Sequence, residues 1–383
     1  LKIFLAFQQS ENVYPIPAYD FWQRYIKNGI TEAGHEWTEC PGADWALGLV
    51  AQPQNAHAKW KQTTWEKTIA SLKKNPVDIF LSYLYPAQVD ESAIKEIQKM
   101  GISCVNFFCD NVREFTKAPS EFKTFNLNWV PEHKAVKFYQ SAGYKYIQLP
   151  MPVWIPPGDR IIAKEQYHQV TFLGSKDIQR QILLEDIIKL QPDLQLAIYG
   201  SGWNQTARQL NPVADNYTLF DSLLHQFAFI KRHGIKAYTN KIKSRKYSYG
   251  TSPALLTKYK GGHQFEDYKI LTAASTVTVG INRYPSYHFP LYQPDTYSRL
   301  RDIEAPMFGA CYLTEWTQGI EDLYEIGHEI EVYHDAAEFI EKAKELIADP
   351  AKRKTLKVNG QKRALNDHNI TSSLNKIITS LNI

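Results

Sequence analysis

The sequence predicts an α/β fold of two doubly wound domains, each a parallel sheet with helices on both faces. Three observations predict it. Short apolar strands alternate with helices of about ten residues along most of the chain, the pattern of parallel βα units. At 383 residues the chain exceeds one ordinary core, and two domains of roughly 150–200 residues each are the natural division. The tract "LPMPVWIPPGD", residues 149–159, carries four prolines between two such series and reads as a domain boundary.

The elements follow in order. "KIFLAF" is a first strand, and "AYDFWQRYIKNGITEAG" has apolar residues at helical spacing and a closing glycine. "DWALGLV" reads as the next strand, then a helix through "WEKTIASLKKN" and the strand "VDIFLSYL". The helix "DESAIKEIQKMG" leads to "ISCVNFFCD", and "LNWVPEH" precedes the helix "KAVKFYQSAG". Beyond the proline tract come "YHQVTFLGS", the helix "QRQILLEDIIKLQ" and "LQLAIYGSGW". The series resumes at "DYKILTAASTVTVGIN", continues through "IEAPMFGACYLTE" and "IEVYHDAAEFIEKAKELIADP", and ends in a helix near "ITSSLNKIITSLN". The expected domains are 1–155 and 156–370, with the helix of 371–383 packing back on the first. Ligands of such sheets bind beyond the carboxyl ends of the strands, so the expected site is a cleft between the domains.

Composition narrows the function classes. The net charge of +4 is too mild to argue for nucleic acid, and 44% hydrophobic with 22% charged residues is ordinary for a globular chain. Cys40, Cys104, Cys109 and Cys311 show no paired or metal-ligand spacing and read as free thiols. The first strand is too short for a signal peptide, and no apolar run is long enough for a bilayer, so the sequence predicts a cytoplasmic protein. Residues 204–262 break the βα pattern. There "FIKRHGIKAYTNKIKSRKYSYG" holds seven Lys and Arg and no acid, interleaved with aromatics. It reads either as a solvated helical insertion or as a basic patch for an anionic acceptor or a membrane surface.

Three segments together carry a family resemblance: "VTFLGSKDIQRQILL", "LAIYGSGW" and the stretch from "RLRDIEAPMFGACYLTE" to "RALNDHNIT". They resemble the glycosyltransferases of the spore-maturation CgeB group, within the GT-B class of nucleotide-sugar transferases. The likeness covers most of the chain but not 204–262. It implies a UDP-, GDP- or dTDP-sugar donor on the C-terminal domain, a glycan or other hydroxyl acceptor on the N-terminal one, and no cofactor. In that class a Glu five residues before a Gly hydrogen-bonds the ribose hydroxyls, which maps onto Glu304 and Gly309. An ionised carboxylate suits a vicinal diol, since both oxygens accept. Many retaining relatives carry another Glu eight residues earlier; here that position is Thr296, which leaves the stereochemistry open.

The remaining candidates sit at strand ends. Gly174 and Ser175 end a strand ahead of a helix, where backbone amides suit a diphosphate, and Lys176 and Arg180 follow to neutralise it. Arg180 is the better match to an Arg of the family. "YGSGWN" fails as a dinucleotide fingerprint because Gln205 replaces the third glycine, which argues against an NAD-type oxidoreductase; Tyr199, Gly200 and Trp203 read as a wall flanking a base or as packing. Asn282 and Arg283 follow the strand "TVTVG", and the family carries an Asn there. Arg301 lies one turn before Glu304 and either pairs with it or reaches phosphate. Asp110, where the family carries an acid, is the expected catalytic base, with Glu11 as runner-up. No Asp-x-Asp occurs, so no essential metal is expected. A non-catalytic nucleotide- or sugar-binding protein on the same scaffold is the rival reading.

Overall fold

The structure is a computed structural model, described for all residues except 15–18, 205–218, 246–249, 263–264 and 285–293. It divides into two compact units, Leu1–Trp154 with Asn366–Ile383, and Ile155–Leu365.

The first unit contains β1 (Lys2–Ala6), α1 (Tyr19–Glu32), β2 (Glu36–Thr38), α2 (Gln54–Lys74), β3 (Ile79–Ser82) and α3 (Glu91–Lys99). It continues through β4 (Ser103–Phe107), α4 (Asn111–Glu114), β5 (Leu127–Val130), α5 (His133–Ala142) and β6 (Tyr146–Gln148). Its six strands are all parallel in the order β2-β1-β3-β4-β5-β6, so the chain reverses direction across the sheet between β1 and β3. Strands β3 and β5 are buried throughout, as strands covered on both faces must be.

The strand expected at "DWALGLV" is a correction. Ala46–Leu49 form a 3-10 turn, because Trp45 is buried edge-on against Trp60 and Trp65 rather than in a sheet. The strand lies earlier, at Glu36–Thr38, on the sheet edge with its side chains largely exposed.

The second unit contains β7 (Tyr167–Leu173), α6 (Ile178–Leu190), β8 (Leu196–Tyr199), α7 (Leu219–Arg245), α8 (Pro253–Leu256) and β9 (Tyr259–Gly261). Next come α9 (Phe265–Ala274), β10 (Ser275–Gly280), the short antiparallel ribbon β11 (Arg283–Tyr284) with β12 (Asp295–Thr296), and α10 (Leu300–Met307). The unit closes with β13 (Tyr312–Glu315), β14 (Glu331–Tyr333), α11 (Ala336–Ala348) and α12 (Pro350–Asp367). Its parallel sheet runs β14-β13-β10-β7-β8-β9, and the reversal falls between β7 and β10. A core of Val170, Phe172, Leu184, Ile198, Val277, Val279 and Leu313 fixes these strands. The last helix, α13 (Ile370–Leu381), belongs to the first unit, where it packs on α1. There a side chain on Gly29 would overlap Ile370, which sets how closely the two helices approach.

Candidate functional site

The carboxyl ends of β7 and β10, where the second sheet reverses, meet the N-terminus of α10. This is the position at which open α/β sheets bind ligands. A recess of about 120 Å³ lies there, lined by Phe172, Arg180, Asn282, Arg299, Arg301 and Glu304, among others.

Local sequence explains why α10 presents Glu304. The carboxylate of Asp302 accepts the amide of Arg299 at 3.0 Å and starts the helix. Asp302 also takes the hydroxyls of Tyr312 and Thr314, each at 2.8 Å, which ties the helix to β13. Gly309 ends it at φ 71°, and the amides of Phe308 and Ala310 close onto the carbonyls of Glu304 and Ala305. The Glu-x4-Gly spacing therefore places the acid in the last turn of a capped helix. Glu304 is buried and accepts the Tyr268 hydroxyl. Burial and the neighbouring carboxylate push the Tyr268 phenol well up, so it stays a donor.

Three guanidiniums converge on the recess. Arg180 is only 14% exposed; it donates to the Ser175 carbonyl at 2.8 Å and pairs with Asp177 at 3.2 Å. Burial, followed by the charges of Arg299 and Arg301, pushes it down to about 10. Arg299 lies 5.4 Å from the Tyr297 ring and donates to the Arg283 carbonyl at 3.2 Å. Arg301 sits 5.3 Å from the Tyr268 ring, and its Nε is buried without a hydrogen-bond partner. So much positive charge around one recess, with an unused donor, suits an anion. Sequence reasoning missed Arg299 and Tyr268. The only signal for Arg299 was the Arg-x-Arg pattern at a helix start, which reads equally well as a solvated turn.

Of the two amides expected to cradle a diphosphate, Gly174 and Ser175, that of Gly174 is engaged by the neighbouring loop. The amides of Gly174 and Lys176 donate to the carbonyls of Tyr199 and Ser201, at 2.8 and 2.9 Å. The start of α6 is capped by Asp177, whose carboxylate takes the Arg180 amide at 2.9 Å. The two loops pack closely: a side chain on Gly200, at φ 139°, would come within 2.2 Å of the Gly174 carbonyl oxygen. Half-buried Lys176 has its ammonium pushed down by burial.

Trp203 does not flank a base. It is fully buried against Phe172, and its indole donates to the Gly174 carbonyl at 2.8 Å. Tyr199 lines a separate recess with Tyr167 and Asp267. Asn282 is buried and donates to Thr314 Oγ1 and the Glu315 carbonyl, at 3.2 and 2.8 Å, which holds the loop after β10. Arg283 is bound to buried Glu315 rather than turned to the arginine recess. With Thr296 it lines a neighbouring recess of about 390 Å³ that also contains Trp316 and His334.

In the first unit, Asp110 follows β4 and accepts the Tyr85 hydroxyl at 3.1 Å. Behind it Glu132 is fully buried and accepts the amides of Asn111 and Val112, at 2.7 and 3.1 Å. Burial raises the Glu132 carboxyl to about 8, against the pull of these amides. Glu11 is exposed in the loop after β1. All four cysteines are free and buried, and burial pushes the Cys311 thiol up to about 12. Among the described residues no three His, Cys, Asp or Glu side chains gather as a metal site.

Comparison with solved structures finds the same fold along the whole chain. Sucrose-phosphate synthase from Thermosynechococcus elongatus is 12% identical over 99% of this chain and 98% of that one, with a TM-score of 0.60. HepE from Anabaena, in complex with UDP, is 13% identical over 100% of both chains, with a TM-score of 0.56. A glycosyltransferase from Rickettsia africae is 12% identical over 99% and 97%, with a TM-score of 0.57. These likenesses show the GT-B fold of two parallel six-stranded sheets. No curated protein matches the chain. The family described as glycosyl transferase-like matches residues 179–379, more than half of the sequence and nearly all of the unit that carries the arginine recess. This chain belongs to the glycosyl transferase-like family.

Proposed function

We propose that the protein transfers a sugar from a nucleotide-sugar donor to a hydroxyl acceptor, without a metal, and that it is related to the CgeB-type transferases. The observation that carries this reading is the recess at the β7–β10 reversal, where Arg180, Arg299 and Arg301 surround one buried carboxylate, Glu304. The arginines bind the diphosphate, and Glu304 accepts from the ribose hydroxyls. As the bond to the sugar breaks, negative charge grows on the departing diphosphate. Guanidiniums already fixed by Asp177, Tyr297 and Tyr268 stabilise that charge without reorganising. Their charge replaces the neutralisation that a divalent cation supplies in other transferases, which is why the reaction runs without one.

The second unit is then the donor-binding domain and the first the acceptor-side domain. Asp110 removes the acceptor proton in an inverting reaction, with Glu11 in reserve; a retaining reaction needs neither. Structures of HepE with UDP and with UDP-glucose make uridine donors the first to try. The rival reading, a protein that binds nucleotide or sugar without turnover, shares the recess and differs in showing no hydrolysis or transfer of a nucleotide-sugar.

Calorimetric titration of UDP, GDP and dTDP in the presence of EDTA tests the proposal. One of them should bind, and Arg180→Ala should weaken it by about tenfold or more, as expected for a charge-assisted hydrogen bond of roughly 1.5–3 kcal/mol. Binding only with added Mg²⁺ would overturn the metal-free reading, and no binding under any condition would overturn the donor site.

A further inference from the structure

Helix α7 lies between β8 and β9 and is two helices in one, broken at Gly234 with φ 83° and ψ 165°. Side chains twelve residues apart meet across the break. The Tyr238 hydroxyl donates to Gln226, and Lys241 Nζ lies 4.3 Å from the Phe229 ring centre. Twelve residues of straight helix span about 18 Å, so the halves fold back on one another as a helical hairpin. Ala237 is buried, at 1% exposed.

Four large apolar side chains of this hairpin are exposed. Leu223 is 65% exposed, Phe227 73%, Ile235 71% and Ile242 41%. Leu223 and Phe227 are four residues apart, and Ile235 and Ile242 seven apart, so each pair shares one helical face. Lys231, one turn beyond Phe227, is exposed, as are Lys236 and Lys243 beside the two isoleucines. Over residues 219–245 there are six bases (Lys231, Arg232, Lys236, Lys241, Lys243, Arg245) and one acid (Asp221), a local charge of +5. The whole chain carries +4, so the remainder is −1 and the entire positive excess sits on this element.

We propose that the α7 hairpin is a peripheral membrane anchor, with its exposed apolar side chains entering an anionic lipid surface and its lysines on the head groups. Apolar insertion together with basic charge is the pairing that surface-bound helices use. A second copy of the chain would fit the apolar side chains but would bring +5 against +5. No helix among the described residues is long and apolar enough to cross a bilayer, which agrees with attachment at the surface. Outside the hairpin, the Thr251 hydroxyl donates to the Trp203 carbonyl at 2.6 Å, and Trp203 is bonded to the Gly174 loop. Membrane binding at the hairpin is independent of the transferase reading, since it requires no turnover.

The test is co-sedimentation of the full chain with phosphatidylcholine vesicles, with and without phosphatidylglycerol. Binding should require the anionic lipid and weaken with salt. Replacing Lys231, Lys236 and Lys243 by Ser should lower vesicle affinity by about a hundredfold, at the usual contribution per basic residue. Leu223→Ser with Phe227→Ser should abolish binding with the thermal midpoint unchanged, because both side chains are exposed. Absence of binding to anionic vesicles, or binding that neither variant alters, overturns the proposal. So does a concentration-dependent dimer that dissociates when Phe227 is replaced, which would assign the face to a second copy.

Discussion

The two units share an architecture and differ in chemistry at equivalent places. Each is a six-stranded parallel sheet whose order reverses beside its first strand. At the strand ends of the second unit stand three arginines around one carboxylate. At those of the first stand phenols, thiols and acids: Tyr83 with Cys109 at 3.4 Å, Tyr85 on Asp110, and Glu132 behind them. The topology says where a ligand goes; the side chains decide its charge. A cationic recess suits the anionic part of the proposed donor, whereas a carboxylate among phenols suits a neutral hydroxyl from which a proton is to be taken.

The sharpest way to break that comparison is to remove the acid from one side only. Asp110→Asn keeps the size of the side chain and its contact with Tyr85. It should lower turnover by about a hundredfold or more, the usual contribution of a general base, while donor-nucleotide affinity stays at the wild-type value. Unchanged turnover would mean that no base operates there and would point to retention. The complementary change, Glu304→Gln, acts on the other side. It should weaken nucleotide binding by at least about tenfold through loss of a charge-assisted hydrogen bond. Calorimetry showing wild-type affinity would reduce Glu304 to a partner of Tyr268.

The difference between the two units also explains what could be read from the sequence. Buried strands such as "IFLS" and "LNWV" announce themselves because both faces are apolar. The edge strand "EWT" does not, since its side chains are largely exposed, and "DWALGLV" misleads because its aromatic is buried by other tryptophans. Glu304 was singled out through the family resemblance, by its place five residues before Gly309, and that spacing puts it in the last turn of a helix that ends at a left-handed glycine. Arg299 was not, because what makes it part of a site is the tertiary approach of α10 to Arg180. The glycines after β7 and β8 carried a true signal of close backbone approach. That approach is between the two loops, Gly200 lying against the Gly174 carbonyl, and spacing alone does not say which backbone comes close.

The smallest expected effect concerns the buried acid behind Asp110. Burial raises the Glu132 carboxyl from 4.5 to about 8; the charge of Asp110 adds to this, and the amides of Asn111 and Val112 oppose it. The sign follows from linkage. Below pH 4.5 both folded and unfolded chains hold the proton, and the contribution to stability is complete. As pH rises the unfolded chain releases its proton first, so stability is lost through the interval that ends near pH 8. The slope is at most about 1.4 kcal/mol per pH unit for one proton, or roughly 3–5 °C for a unit of this size. Glu132→Gln removes the titration and should flatten that part of the curve. It should also lower stability at acid pH by about 1–3 kcal/mol, because an amide presents an N–H to one of the two backbone donors. Calorimetric melts of wild type and variant from pH 5 to 8 separate the effects: the pH slope reads the proton, and the offset reads the lost acceptor. Parallel curves would show that Glu132 is ionised throughout, held by its two amides. It would then be a fixed negative charge behind Asp110.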